Sequence, residues 1–87
     1  MKVRIDARTL ARAAERGSNE VEIIDVIETG ASIPAKQGRL AKAKVYGFNQ
    51  ERLGKRYEQK RVEVVYVVEQ DIAVTVTVYV FYGSWEE

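Results

Sequence analysis

The chain has 87 residues, a hydrophobic fraction of 46%, a charged fraction of 31% and a formal net charge of +1, and it contains neither cysteine nor histidine. This length and composition predict a single globular domain, residues 1–87. The missing residue types exclude disulfides, thiolate nucleophiles, the usual zinc, haem and iron–sulfur ligands, and imidazole as a proton carrier. We therefore expect no metal and no cofactor, and catalysis would have to use lysine, arginine, tyrosine, carboxylates or hydroxyls.

The hydropathy pattern and the net charge limit the partners. No apolar run approaches the roughly 18 residues that a membrane-spanning helix needs, and the first residues lack the pattern of a secretory signal. We therefore expect a cytoplasmic protein with no membrane partner. Because the net charge is close to zero, an interaction with nucleic acid would have to depend on where the basic residues lie.

The first part of the chain predicts a short edge strand followed by two helices. Residues 1–6 alternate apolar and charged side chains, which is typical of a strand. Residues 8–16 are rich in helix formers and end at Gly17, a natural C-cap. The next helix begins after Asn19, an N-cap residue with a glutamate three positions later, and Gly30 ends it.

The second part predicts strands. The segment "ASIPAKQG" reads as a loop, residues 39–48 and 56–69 read as strands, and Gln70–Asp71 is a tight connection to a last strand containing "VTVTVYVFYG". The predicted fold is α+β with the order β-α-α-β-β-β, in which two helices pack on one face of a curved antiparallel sheet. The other face of the sheet would then be open.

The alternation of the strands predicts what the open face carries. In the last strand, Ile72 and the valines at every second position would face the helices, which leaves outside Ala73, Thr75, Thr77, Tyr79 and Phe81. If the small residues of strand 39–48 turn inward, the side chains that join the open face are Lys42, Lys44 and Tyr46. Basic residues would line its rim: Lys55, Arg56, Lys60 and Arg61.

Three segments carry a resemblance to a known family. Glu15-Arg16-Gly17, the capped helix Asn19–Glu28 and Thr77-Val78-Tyr79 resemble motifs of domain-of-unknown-function family 4258. That family is similar to the RelE/ParE/BrnT superfamily of small toxins, which shares the plan of two helices and a meander. RelE-type members cut RNA with basic residues and a tyrosine on the open sheet. Many members of family 4258 have histidine at the start of the first helix, where this chain has Arg8, which can bind phosphate but cannot act as a general base.

The resemblance and the predicted open face together give two sets of candidate site residues. The candidate catalytic residues are Tyr79, as the reactive or stacking group, and Lys42, Lys44 and Arg61, on phosphate. The candidate RNA-binding residues are Arg8, Arg12, Lys55, Arg56, Tyr46 and Thr77. Each also has a structural interpretation: tyrosines pack across strands, lysines solvate a strand and discourage edge pairing, and the arginines of the first helix form ordinary surface ion pairs.

Two functions remain open on this evidence. The first is a metal-independent, RelE-like toxin or ribonuclease, in which a 2′-hydroxyl attacks the adjacent phosphate and cations stabilise the transition state. The second is a non-catalytic module that binds protein or nucleic acid through the open face or through the aromatic end formed by Phe81, Tyr82 and Trp85. The candidate partners are RNA, an antitoxin-like protein and a second copy of the chain. The near-neutral charge favours the second function, and the lysine–tyrosine face favours the first.

Overall fold

The computed structural model describes residues 1–85 of the chain. Its elements are β1 (Lys2–Arg4), α1 (Ala7–Arg16), α2 (Glu20–Thr29), β2 (Ala31–Ile33), β3 (Leu40–Arg52), β4 (Lys55–Glu69) and β5 (Ile72–Gly83). The predicted α+β class and the order of two helices followed by a meander are confirmed. Each described helix has ten residues, which is too short to cross a membrane.

The five described strands form one open sheet in the order β1-β5-β4-β3-β2. Two details differ from the prediction. First, β1 pairs with β5 in parallel, through Lys2–Ile72 and Arg4–Val74, so the sheet is mixed and not purely antiparallel. Second, the segment predicted as a loop begins with a short strand, because β2 pairs with residues 41–43 of β3.

The helix ends follow the predicted signals. Gly17 ends α1 in the left-handed conformation, with φ of 91°, and a Cβ there would collide with the hydroxyl of Tyr82. Glycine is therefore required at this position for two independent reasons. Asn19 begins α2, since its Oδ1 accepts a hydrogen bond of 2.9 Å from the Glu22 N–H.

The hydrophobic core lies between the helices and one face of the sheet. α1 packs on β5, and α2 packs across β3 and β4. The buried cluster consists of Ala13, Ile23, Val26, Ile27, Val62, Val64, Tyr66, Ala73 and Val78. Ile23 and Ile27 of α2 are buried in this core, whereas Val21 is 76% exposed.

Lys42, Lys44 and Tyr46 point toward α2, so their predicted position on the open face is wrong. Lys42 Nζ donates a hydrogen bond of 2.8 Å to the carbonyl of Ile27. Lys44 Nζ and Tyr46 Oη lie 2.7 and 2.5 Å from Asp25 Oδ2. The last turn of α2 has no basic residue of its own, and helices leave their final carbonyls without partners. The sheet therefore supplies the cations that stabilise this helix end.

A second ion pair joins the start of α2 to the sheet. Lys60, predicted at the rim of the open face, is buried beneath the helices. Its Nζ lies 2.8 Å from the Glu22 carboxylate and donates a hydrogen bond to the carbonyl of Gly17. Ser18 Oγ donates to the same carboxylate. Because the ammonium and the carboxylate each have several partners, this buried pair is well satisfied.

A bulge in β5 interrupts the alternation that the sequence predicted for this strand. Val65 pairs with Thr77 and Tyr66 pairs with Thr75, so Val76 is an extra residue without a partner on β4. Residues before the bulge therefore change sides: Thr75 is buried, and its Oγ1 donates to Asp6 Oδ1 on the helix side.

After the bulge the prediction is correct. Val78, buried in the core, faces the helices, and Thr77, Tyr79 and Phe81 alternate with it on the open face. The bulge thus separates β5 into a segment whose alternation was predicted wrongly and one whose alternation was predicted correctly.

The contacts of Asp25 predict a pH-dependent stability. Hydrogen bonds from the Lys44 ammonium and the Tyr46 hydroxyl lower the pKa of Asp25 to about 2, against about 3.9 in an unfolded chain. A lowered pKa in the folded state means that the ionised carboxylate stabilises the fold above about pH 4. This contribution is lost as the pH falls toward 2. In urea unfolding, the stability difference between the wild type and Asp25→Asn should be constant from pH 7 to 5 and should shrink below pH 4.

The control for this prediction is Glu28→Gln, which removes an exposed carboxylate from the same helix. It should change stability little at any pH. A difference between the wild type and Asp25→Asn that is the same at pH 6 and pH 2.5 would contradict the assignment.

Candidate nucleic-acid interface

Three rows of side chains cross the open face of the sheet. The pairing of the strands places them side by side, roughly 5 Å apart across neighbouring strands. The rows are Ile33–Ala41–Val65–Thr77, Ala43–Glu63–Tyr79 and Val45–Arg61–Phe81. We call these side chains the open face. It carries both apolar and charged groups, and the largest exposed side chains belong to β5.

A cavity of about 450 Å³ lies on the open face, between the loop of residues 34–39 and β5. Ala41 contributes part of its floor, and because alanine is small, the surface is lower there than at the neighbouring strand. Lys36 and Arg39 line the loop side, and Thr77 and Tyr79 line the opposite side. The cavity therefore has an apolar floor, cations along one side and an aromatic ring on the other.

Tyr79 and Phe81 form an exposed aromatic pair. Their ring centroids are 6.4 Å apart with an interplanar angle of 27°, and the two residues are 43% and 47% exposed. Since the residues are two positions apart on β5, both rings stand on the same side of the sheet. Two adjacent exposed rings provide a surface on which planar groups such as nucleic-acid bases stack.

The edge of β5 beside this pair is largely open. β1 pairs only with residues 72–74, so none of the described strands lies beside residues 75–83 on that side. Arg16 of α1 reaches this edge and donates a hydrogen bond to the carbonyl of Val78. Its guanidinium carbon lies 5.6 Å from the centroid of the Tyr79 ring. Arg16 therefore protects the edge and adds positive charge beside the aromatic pair.

The other two arginines of α1 continue the same stripe. Arg8 and Arg12 are exposed and line a smaller cavity of about 190 Å³ with Val76 and Thr77. Neither arginine forms an ion pair with another residue in the 1–85 range. The predicted surface ion pairs of these two arginines are therefore absent among residues 1–85. Their guanidinium groups are available to bind an anion.

Glu63 occupies the centre of the open face. Its side chain is 22% exposed, and its Oε2 lies 3.0 Å from Arg61 Nε. The Arg61 N–H is not aligned on this oxygen and has no hydrogen-bond acceptor. Within residues 1–85, no side chain donates a hydrogen bond to Glu63. The carboxylate thus faces the cavity with its acceptor capacity largely unused.

The structure brings together only part of the predicted site. Tyr79 and Thr77 lie on the open face as predicted, and Arg8 and Arg12 lie at its β5 edge. Arg61, predicted at the rim, lies between Val45 and Phe81 in a row that crosses the face.

The remaining predicted site residues lie elsewhere. Lys42 and Lys44 are bonded to α2, on the opposite side of the sheet from Tyr79. Tyr46 is there too, and burial together with the Asp25 carboxylate raises the pKa of its hydroxyl. Lys55 and Arg56 lie at the tip of the β3–β4 hairpin, roughly 25 Å along the strand from Glu63.

Three residues of the interface were missed by the sequence reasoning. Lys36 and Arg39 lie in a segment predicted to be only a loop, and they reach the site because β2 folds that segment back beside β3. Glu63 lies within the predicted strand 56–69 and was not among the candidate site residues. A signal existed for Glu63, since a carboxylate in the middle of a valine-rich strand is unusual.

The arrangement limits what the site can hold. Within residues 1–85, no group of three or more carboxylate side chains converges in a way that could hold a metal ion. The available groups are two aromatic rings, several fixed cations and one carboxylate. Such groups bind planar anionic ligands by stacking and charge. Comparisons with protein-family models, with curated proteins and with solved structures found no match.

The contacts of Lys42 and Lys44 predict that these residues act on stability. Replacing either with methionine keeps the stem but leaves an acceptor of α2 without its partner, and we expect a loss of about 1 kcal/mol in the free energy of unfolding. The measurement is urea unfolding followed by circular dichroism. Lys36→Met is the matched control, because Lys36 is an exposed loop residue, and its stability should be unchanged. Equal stability of all four proteins would show that the lysines do not anchor α2.

Proposed function

We propose that the protein is a binding module for single-stranded RNA, acting in the cytoplasm through the open face and the β5 edge. The observation that carries the proposal is the exposed pair Tyr79 and Phe81 beside uncompensated arginines. Base stacking on aromatic side chains and phosphate binding by cations are the two components of single-strand recognition. Both components occur together here.

The shape of the face favours a single strand over a duplex. Bases in a duplex are stacked on one another and cannot reach a protein ring, whereas the bases of a single strand can turn outward and stack on side chains. The two rings lie on a sheet, at the spacing of alternate residues on one strand. Arg8 and Arg12 lie at the same edge beside Val76 and Thr77, where they can contact the phosphates that lead to a stacked base.

Binding is better supported than cleavage. The resemblance to the RelE/ParE/BrnT superfamily suggests RNA as the ligand and a tyrosine-centred reaction. The cation beside Tyr79 is Arg16, which cannot accept a proton. The lysines that would complete a cleavage site are bonded to α2. We therefore propose that RNA is bound and released intact.

The proposal predicts the behaviour of a fluorescent single-stranded RNA of about ten nucleotides in an anisotropy titration. Tyr79→Ala and Phe81→Ala should each weaken binding by at least about fivefold, because each base stacked on a ring contributes about 1–3 kcal/mol. The double variant Arg8→Gln/Arg12→Gln should weaken binding and reduce the slope of log K against log salt by about one per lost phosphate contact.

The control is Val21→Ala, which removes an exposed apolar side chain from α2, away from the open face. Its affinity should equal that of the wild type. The RNA recovered after incubation should be intact on a denaturing gel. Absence of binding at low salt, or equal weakening by Val21→Ala and Phe81→Ala, would overturn the proposal, and discrete cleavage lost in Tyr79→Phe would establish a ribonuclease instead.

A second candidate function rests on the free edge of β5. The bond from Arg16 shows that the backbone groups of Val78 point to the open edge, and by alternation those of Val80 do as well. An extended peptide can pair with such an edge. An antiparallel pair of β5 strands from two copies would bring two arginine stripes together, so the charge favours an acidic peptide from another protein over a second copy.

This second candidate predicts binding of a synthetic peptide of about eight alternating valine and glutamate residues. The amides of Val78 and Val80 should gain hydrogen-exchange protection in its presence, and a lysine version should not bind. Alternate N–H groups of an added strand point toward β5, and the others point to solvent. N-methylation of the odd-numbered or of the even-numbered peptide residues should therefore give different results: one set abolishes binding and the other does not. Equal binding of both methylated patterns would exclude strand addition.

A further inference from the structure

We propose that the cavity beneath residues 34–39 is a guanylate site, which takes a guanine base together with its phosphate. For a nucleotide within RNA, the inference rests on the proposed function and names the base that the interface selects. Glu63, Tyr79, Lys36 and Arg39 each contribute a different part of the recognition.

Glu63 provides the selectivity for the base. An ionised carboxylate accepts hydrogen bonds and donates none. The Glu63 carboxylate lines the cavity, and its partner among residues 1–85 is the Arg61 guanidinium, whose Nε lies 3.0 Å away without an aligned hydrogen bond. Acceptor positions on the carboxylate therefore remain for a ligand. Guanine is the base whose Watson–Crick edge presents two adjacent donors, N1–H and the N2 amino group. These two donors match the two oxygens of one carboxylate.

The other bases fit the carboxylate less well. Adenine and cytosine each present one donor beside a ring nitrogen that is an acceptor, and this nitrogen would face a carboxylate oxygen. Uracil presents one N–H between two carbonyl oxygens, which the carboxylate repels. Sites discriminate strongly against a base that lacks the donor for a partly buried acceptor such as the Glu63 carboxylate.

The walls of the cavity fit the rest of a nucleotide. Val65 and Ala41 form an apolar floor, and the Tyr79 ring stands at the side where a planar base can stack. The volume of about 450 Å³ lies within the range typical of small-molecule sites. A single nucleotide is small enough for a cavity of this volume.

Lys36 and Arg39 provide the site for the phosphate. Both are exposed and line the cavity, and neither forms an ion pair within the part of the chain that the structure describes. A basic side chain is disfavoured as the ligand, because Glu63 is already paired with Arg61 and the two further cations at the same cavity repel it. The combination of one interior carboxylate and two cations at the rim is complementary to guanylate, which has donors on its base and negative charge on its phosphate.

The test compares uridine oligonucleotides that carry one central guanosine, adenosine or uridine, and in parallel free guanosine and adenosine monophosphate. Binding of the oligonucleotides is followed by anisotropy, and binding of the nucleotides by amide shifts of Val65, Thr77 and Tyr79. The guanosine oligonucleotide should bind about tenfold more tightly than the adenosine one, the size of effect that one bidentate contact to a base has. Free guanosine monophosphate should bind in preference to adenosine monophosphate.

Variants separate the parts of the site. Glu63→Gln should reduce the preference for guanosine to about twofold or less while binding of the adenosine oligonucleotide persists. Lys36→Gln and Arg39→Gln should weaken all three oligonucleotides alike and keep the preference. Glu69→Gln, the same change at an exposed position of β4, is the control and should change nothing, and thermal unfolding of each variant verifies that it is folded.

The outcomes distinguish the guanylate site from the RNA-binding proposal. Tight binding of all three oligonucleotides without preference overturns the guanylate site and leaves the RNA-binding proposal intact. Binding of free guanosine monophosphate without binding of RNA supports the site and overturns the RNA-binding proposal. Absence of both overturns both, and a guanosine preference that Glu63→Gln does not reduce overturns the role of Glu63.

Discussion

The structure depends on two lysines of β3 that satisfy acceptors of α2. Lys42 bonds a carbonyl at the end of the helix, and Lys44 bonds Asp25. Successive side chains of a strand point to opposite faces, so these bonds turn Ala41 and Ala43 to the open face, and a slip of one residue would reverse both. The depth of the cavity follows from this register, because alanines lie where lysines would otherwise fill the space. An interaction that holds a helix therefore also shapes the candidate site on the other face.

The bulge at Val76 is the second constraint. It separates a segment of β5 that contacts the helix side from a segment that presents side chains to the candidate site. Before the bulge, Thr75 faces the helices and reaches Asp6. After it, Thr77 and Tyr79 face the cavity and the core receives Val78. Without the extra residue, Ala73 and Thr75 could not face the helices while Val78 does so and the aromatic pair stands outside.

The sequence predicted what depends on local chemistry and failed where tertiary contacts decide. Gly17 and Asn19 mark helix ends by their own conformational preferences, and both were predicted correctly. The orientation of Lys42 was predicted wrongly. The alternation of side chains along a strand shows which residues share a face, but it does not show which of the two faces the helices cover. Burying an alanine gains little, whereas a lysine can extend its apolar stem beneath a helix and reach a carbonyl. The bulge at Val76 left no signal, since the alternation of valine and threonine continues through it.

The placement of charge resolves the conflict between a net charge of +1 and an anion-binding face. Glu22 and Asp25 of α2 are paired with Lys60 and Lys44 beneath the helix, so their charges are neutralised locally. Several of the basic residues that lack an ion pair in residues 1–85 lie around the open face and the β5 edge, among them Arg8, Arg12, Lys36 and Arg39. At physiological ionic strength, interactions between exposed charges are screened beyond about 8 Å. A ligand at the open face therefore responds to these neighbouring cations and not to the sum over the whole chain.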